Sequence, residues 1–311
     1  MLVDTHGHVN FQAFKDDADV VLKRALQNNI WVVMPGTQFS TSQKAIEMAE
    51  RYPEGVYAAI GLHPIHLAEK RRVDEFELQS ELPVLLETGR GVRPQFLMGF
   101  ETKAEEFEYE KYKQLALSAS KGKVVAIGEF GLDYYYEPKG KEKREAQRLK
   151  QKSALALQLK LAEDLQLPII LHCRKAHEDL LEILHTRYKR QNTTLRGVVH
   201  CYTGDLKQAE QFYNLGLYFG FNGLIFKDVP ALPDPNEIIA ALPLERILLE
   251  TDSPYLAPSI ALAKEGIHTE RNEPLYVRYV AEEIARIKKL SIEEVASATT
   301  QNAKSLFALV A

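Results

Sequence analysis

The chain has 311 residues, enough for one large domain or two small ones, and its 45% apolar and 26% charged residues give an ordinary globular balance that excludes a disordered or fibrous protein. Lys and Arg number 39 against 43 Asp and Glu, a formal charge of −4, so no basic coat covers the surface and a polyanion would have to be held locally. Two cysteines, Cys173 and Cys201, are too few for a disulfide scaffold and point to a reducing compartment. The N-terminus shows no secretory pattern, and no apolar run reaches the roughly 18 residues of a membrane span, so the expected location is the cytoplasm.

In chain order, short apolar runs rich in β-branched residues stand at Leu2–Val3, Ile30–Met34, Val56–Ile60, Val124–Ile127, Ile169–Leu171, Val198–Val199, Leu217–Phe219 and Ile247–Leu249. They are too short for core helices and read as buried strands. Helical patterns lie between them. The clearest spans about Lys141 to Leu165 without Gly or Pro, and others begin near Phe14, Thr41, Lys175, Asp205 and Asn236. Strands alternating with helices imply parallel pairing through crossovers, and eight of them suggest a (β/α)8 barrel, which needs about 250 residues; an open doubly wound sheet is the alternative. The stretch from about 68 to 123 exceeds one crossover and reads as an insertion after the third strand. The tail from Ser291 reads as two closing helices, with a capping box formed by Ser291 and Glu294. No repeat or linker divides residues 1–311, so a single domain is expected.

Polar residues follow nearly every strand. Asp4-Thr5-His6-Gly7-His8 follows the first, and residues two apart in an extended segment point the same way, so His6 and His8 can reach one ion; the plainer reading is two unrelated surface histidines. His63, Glu129, His172, His200 and Asp252 each stand directly after a buried run. A barrel gathers those strand ends around one mouth. Four imidazoles and two carboxylates facing one cavity would be costly without an ion to hold. Six such ligands exceed one tetrahedral site and suit two divalent ions sharing a bridging carboxylate, roughly 3.5–4 Å apart. The donor set suits Zn, Mn, Co or Fe. Strand alternation turns Cys173 and Cys201 away from the mouth, as small buried hydrophobes.

The segments VDTHGHVNF, AIGLHP, AIGEFGLDYYY, LHCRKA, HCYTG and LLETDSPYLAP resemble, in order and nearly end to end, those of the TatD family of metal-dependent deoxyribonucleases, within the amidohydrolase-like metallohydrolases. The resemblance implies a TIM barrel with two divalent ions (Mg, Mn or Zn) that hydrolyses phosphodiester bonds of DNA, as a 3′–5′ exonuclease on single strands. Carried over by position, His6, His8, Glu129 and Asp252 hold one ion, Glu129 bridges, and His172 and His200 complete the second site. His63 and Arg174 stand where the family contacts the substrate phosphate. Two departures border the mouth: the enlarged 68–123 insertion, and a longer loop before Arg271-Asn272-Glu273-Pro274, in which Glu270 replaces a common Lys.

These residues suggest a mechanism in which Asp252 takes the proton of an attacking water and Arg174 donates a forked pair of hydrogen bonds to phosphate, unless Arg174 serves a structural salt bridge. Of Tyr134, Tyr135 and Tyr136, at least two read as packing residues, and one can stack on a base. DNA or another nucleic acid is the expected substrate, with no membrane and no obligate protein partner. An ester or amide hydrolase, such as an aminoacyl-tRNA deacylase, uses the same metals on a carbonyl. A metal-stabilised scaffold is the non-enzymatic alternative.

Overall fold

The computed structural model describes residues 1–68, 72–73, 100–101, 104–188, 195–267, 269 and 271–309. Eight parallel strands form one sheet: β1 (Leu2–Asp4), β2 (Ile30–Pro35), β3 (Val56–Ile60), β4 (Val124–Asp133), β5 (Ile169–Arg174), β6 (Gly197–Val199), β7 (Tyr218–Phe221) and β8 (Ile247–Leu249). Each pairs with the next in chain order. Past the ends of β8 and β1 the two edges meet: Thr5 N donates to Leu249 O at 2.9 Å, and Asp252 N donates to His6 O at 2.7 Å. The result is the nearly closed (β/α)8 barrel that the alternation predicts. Every residue of β3 and β4 is buried, which is why these runs show no polar alternation.

Between and after the strands lie α1 (Ala18–Gln27), α2 (Phe39–Ala49), α3 (Tyr109–Ser118), α4 (Lys141–Leu165), α5 (His177–Tyr188), α6 (Leu206–Asn214), α7 (Pro235–Ala241), α8 (Ser259–Lys264), α9 (Val277–Lys288) and α10 (Ile292–Phe307). The first begins at Ala18, after a 3-10 turn at Gln12–Phe14, not at Phe14 itself. The tail after Ser291 is one helix, not two, because no Gly or Pro interrupts residues 292–307. Its expected capping box is present, with Ser291 Oγ accepting from Glu294 N at 3.2 Å. Leu306 and Phe307 of α10 join one apolar cluster with Val3, Val33, Val125, Ile170, Val198 and Leu248 from the strands. Asn302 Nδ2 donates to Leu244 O and Ile247 O, and Thr300 Oγ1 donates to Met1 O. These partners precede or begin their strands, so α10 closes the barrel at the strands' N-terminal ends and leaves the C-terminal mouth open.

Most of the expected insertion lies outside the described residues. Its described parts include an antiparallel pairing of Arg72–Val73 with Phe100–Glu101, and α3. Glu270 also lies outside them, but the segment after it is anchored. Arg271 pairs both terminal nitrogens with Asp17, Glu273 accepts from Arg24 at 2.6 Å, and Asn272 Nδ2 donates to Thr251 O and Tyr255 O at 2.8 Å each.

The strand after α3 runs to Asp133, well beyond the apolar stretch ending at Ile127. Its register with β5 slips by one residue between Ile127 and Phe130, a bulge that contains Gly128 and Glu129. Gly131 permits the close approach that follows, since a Cβ there would lie 1.9 Å from His172 O.

Two glutamines on α4, seven residues apart and so on one helix face, pin the mouth from outside. Gln151 accepts from Asp133 N at 2.9 Å and donates to Asp133 O at 2.8 Å. Gln158 accepts from Leu62 N at 2.8 Å and donates to Leu62 O at 3.1 Å, directly before His63. Both side chains are buried. Gln158→Leu keeps the volume but leaves a buried N–H and C=O unpaired; we expect a loss of about 2 kcal/mol in urea unfolding.

Candidate metal centre

Ligand-type side chains converge at the mouth because each follows a strand that ends there. The Nε2 atoms of His6 and His8 lie 3.1 Å apart, the same-side geometry that His-x-His spacing predicts. Asp252 Oδ1 comes within 3.8 Å of His6 Nε2 and 3.4 Å of His8 Nε2. Glu129, re-aimed by its bulge, divides its oxygens between two groups. Oε2 lies 3.4 Å from His6 Nε2 and 3.7 Å from His8 Nε2. Oε1 lies 2.9 Å from His172 Nδ1, 3.4 Å from His63 Nε2 and 3.6 Å from His200 Nε2. All seven side chains expected at the mouth are thus brought together, with Arg174 beside them on the cavity wall.

Hydrogen bonds at the far side of each ring decide which nitrogen faces the centre with a lone pair. His8 Nδ1 donates to Pro35 O at 3.1 Å, so its Nε2 presents a lone pair inward. His200 Nδ1 donates to Glu250 Oε2 at 3.0 Å. His63 is the opposite tautomer: its Nδ1 accepts from Ile65 N at 3.1 Å, which leaves Nε2–H pointing inward as a donor. That arrangement suits contact with an anion and not ligation. His172 lies between two carboxylates, Glu129 at Nδ1 and Asp133 Oδ2 at Nε2, 3.2 Å away.

Burial opposes charge on every one of these groups, and the neighbours decide the outcome. Burial, together with the stacked His200 ring 3.6 Å away, pushes His6 down to about 4. Against burial, hydrogen bonds donated to Asp133 and Glu129 push His172 up to about 9, and Glu250 and Glu129 push His200 up to about 10. Against burial too, His63, His200 and His6 hold Glu129 well below the carboxylate range, while His8, His200 and His6 lower Asp252. Both carboxylates are therefore ionised.

This donor set fits a divalent cation. Two imidazole nitrogens 3.1 Å apart, faced by two ionised carboxylates, present more lone pairs to one point than their own protons can satisfy. Among the described residues three groups of His and carboxylate donors have metal-ligand spacing, the first two sharing His6: His6, His8, Asp252; His6, Glu129, His200; and His63, Asp133, His172. The first holds three of the four ligands expected for one ion; the second joins His6 of that set to Glu129 and His200, and places His172 outside it. The third contains Asp133, which sequence reasoning missed although it ends the same strand as Glu129. Glu250, which orients His200, was also missed; it lies two residues before Asp252, but the left-handed φ of 56° at Asp252 breaks the extended alternation that could have pointed to it. Asp4, likewise two before His6, accepts from Thr251 N and Thr251 Oγ1 at 2.8 and 2.6 Å and ties the ends of β1 and β8 together.

A cavity of about 320 Å³ opens over the centre, lined by His172, Arg174, Lys175, His200, Asp252 and Tyr255 among others. Cys173 and Cys201 border it as well; Cys173 belongs to the apolar core, as a small buried hydrophobe should, and only Cys201 departs from the expectation. Cys173 is buried, but Cys201 is half-buried and has a left-handed φ of 45°, so it has left the strand geometry on which that expectation depends. Among the described residues Arg174 makes no ion pair; its guanidinium lies 3.6 Å over the Tyr135 ring.

The TatD related DNase family profile matches residues 3–308. The uncharacterized metal-dependent hydrolase YabD of Bacillus subtilis is 34% identical over 309 residues, covering 99% of each chain. A 3′-5′ ssDNA/RNA exonuclease TatD from Erwinia tasmaniensis is 29% identical over 297 residues, covering 95% of each. Among solved structures, the TatD homolog YjjV of Escherichia coli K12 superposes with a TM-score of 0.72 at 31% identity, covering 99% of this chain and 98% of that one. No helix among the described residues is long and apolar enough to cross a membrane. With the barrel, the histidine–carboxylate mouth and these likenesses over nearly its whole length, this chain belongs to the TatD family of metal-dependent hydrolases.

Proposed function

We propose that the chain hydrolyses phosphodiester bonds of single-stranded nucleic acid, with DNA as the principal substrate and digestion from the 3′ end. The observation that carries this reading is the two-sided Glu129 carboxylate, facing His6 and His8 with one oxygen and His172 and His200 with the other, beneath a cavity that Arg174 also lines. The TatD exonuclease of Erwinia tasmaniensis, similar over 95% of its length, supports the same choice of bond.

Two divalent ions (Mg, Mn or Zn) fit, one on His6, His8, Glu129 and Asp252 and one on Glu129, His172 and His200. When bound they would neutralise phosphate charge and lower the pKa of a nucleophilic water. The protein's own groups do the rest. Asp252 is ionised and only partly buried, so it can orient a water and accept its proton. His63 presents Nε2–H toward the centre and can donate to a nonbridging oxygen. Arg174, with no carboxylate partner among the described residues, can supply a forked pair of hydrogen bonds to the same phosphate. Charge is supplied locally, which reconciles an acidic chain with a polyanionic substrate. No membrane or obligate protein partner is needed, and the proposed setting is the cytoplasm.

The deciding experiment follows the shortening of 5′- and 3′-labelled single-stranded DNA by protein stripped of metal and resupplied with Mg, Mn or Zn. We expect metal-dependent shortening from the 3′ end. Asp252→Asn should lower turnover by roughly 10²–10⁴-fold with the fold intact by circular dichroism. Absence of cleavage with every metal would move the assignment to ester or amide bonds, the aminoacyl-tRNA deacylase reading.

Metal content offers separate checks. Glu129→Gln should retain fewer than two equivalents by elemental analysis; two full equivalents would remove its bridging role. Glu250→Gln should weaken metal affinity by roughly 10–100-fold through loss of the His200 orientation, with unfolding otherwise cooperative.

A further inference from the structure

Of the three consecutive tyrosines after β4, two are absorbed by packing. Tyr134 is buried and donates to Asp179 Oδ2 at 2.6 Å, and Tyr136 is buried as well. Tyr135 is half-buried and collects two cations. The Arg174 guanidinium lies 3.6 Å from its ring centroid and the Lys175 ammonium 4.7 Å from the same centroid. Adjacent residues of an extended chain point to opposite sides. Arg174 ends β5, and Lys175, directly after it, has a left-handed φ of 55°. This conformation is costly for a residue with a long side chain, and it turns Lys175 back to the side of Arg174. Both residues line the cavity over the metal centre together with His172 and Asp252. Tyr135 is itself held by the site: its N–H donates to Asp133 Oδ1 at 2.8 Å, while Asp133 Oδ2 holds His172.

We propose that Tyr135, Arg174 and Lys175 form a clamp for two neighbouring phosphates of a single-stranded polynucleotide, a reading that rests on the nuclease assignment above. Arg174, whose planar fork matches a phosphate's oxygens, takes the phosphate over the metal centre. Lys175, a point charge on a flexible stem and more exposed, takes the next one along the strand. Tyr135 is the positioning residue: with its face occupied by the guanidinium, the ring fixes the plane of Arg174 and leaves the in-plane N–H groups for the substrate. Tyr135 therefore acts through the cations and does not stack on a base.

The test is a double-mutant cycle read by equilibrium binding. Fluorescein-labelled oligothymidylate is titrated, by anisotropy, into the full chain carrying Asp252→Asn with divalent metal present, over a range of salt concentrations. Arg174→Gln should raise Kd roughly tenfold or more, and Tyr135→Leu roughly fivefold, with Tyr135→Phe restoring affinity because it keeps the ring face. Adding Tyr135→Leu to Arg174→Gln should cost little more than Arg174→Gln alone. Arg174→Gln and Lys175→Gln should each flatten the dependence of log Kd on log salt by about 0.7. Additive losses, or a failure of Tyr135→Phe to restore binding, would overturn the clamp in favour of base stacking, and an unchanged salt slope would remove the phosphate contacts. Coupled losses, with no cleavage by the chain that keeps Asp252, would overturn the nuclease assignment alone. Cleavage with additive losses would overturn only the clamp. A chain that neither binds nor cleaves the oligonucleotide would overturn both.

Discussion

The Glu129 carboxylate is buried at the floor of the mouth with five imidazoles within 3.7 Å. An ionised carboxylate in that position is costly unless positive charge or hydrogen-bond donors surround it. Much of the surrounding architecture meets that requirement. Four strands and the loops after them deliver one imidazole or pair each: β1 brings His6 and His8, β3 His63, β5 His172 and β6 His200. The bulge in β4 turns the carboxylate toward them. A parallel barrel is suited to this because its strand ends all open on one side, so residues distant in sequence meet without long connections.

Behind the first ring of groups stands a second that controls orientation and charge. Pro35 O, Glu250 and the Ile65 N–H select the tautomers of His8, His200 and His63. Asp133 holds His172 and also the backbone of Tyr135, so one carboxylate connects the metal centre to the cations over the tyrosine ring. Asp4 ties the ends of β1 and β8 through Thr251, and Asn272 fastens the β8 loop from the far side. On α4, Gln151 and Gln158 take the place of strand partners for Asp133 and Leu62. Such supports keep ligands within the narrow tolerances that metal-assisted chemistry needs.

Much of this was legible in the amino-acid order. The eight strands were, because buried parallel strands are short apolar runs whose period needs no partner to be seen. The metal-ligand candidates were as well, since His and acidic residues directly after such runs are conspicuous where turn residues are expected. The Ser291–Glu294 capping box is a purely local signal and was read correctly. Asp133, Glu250, Gln151 and Gln158 were not legible in their roles. Their partners lie on other strands, and nothing in a carboxylate's or glutamine's own neighbours announces which distant ring or peptide it will meet. Cys201 and Lys175 mark the limit of alternation as a guide: both adopt left-handed φ values where strand gives way to loop, and the side of the sheet they face is lost there.

By itself, then, the sequence determined the number and order of strands, the barrel class, and the residue types gathered at the mouth, because these follow from short-range patterning and from the rule that parallel strands share a C-terminal face. Only the tertiary structure decided that Glu129 faces two groups of imidazoles with different oxygens, that His63 offers a proton where His8 offers a lone pair, and that Arg174 leans on the Tyr135 ring. Each of these depends on distances between side chains carried by separate strands, and such distances are set by register, bulge and burial together, which no local window of sequence contains.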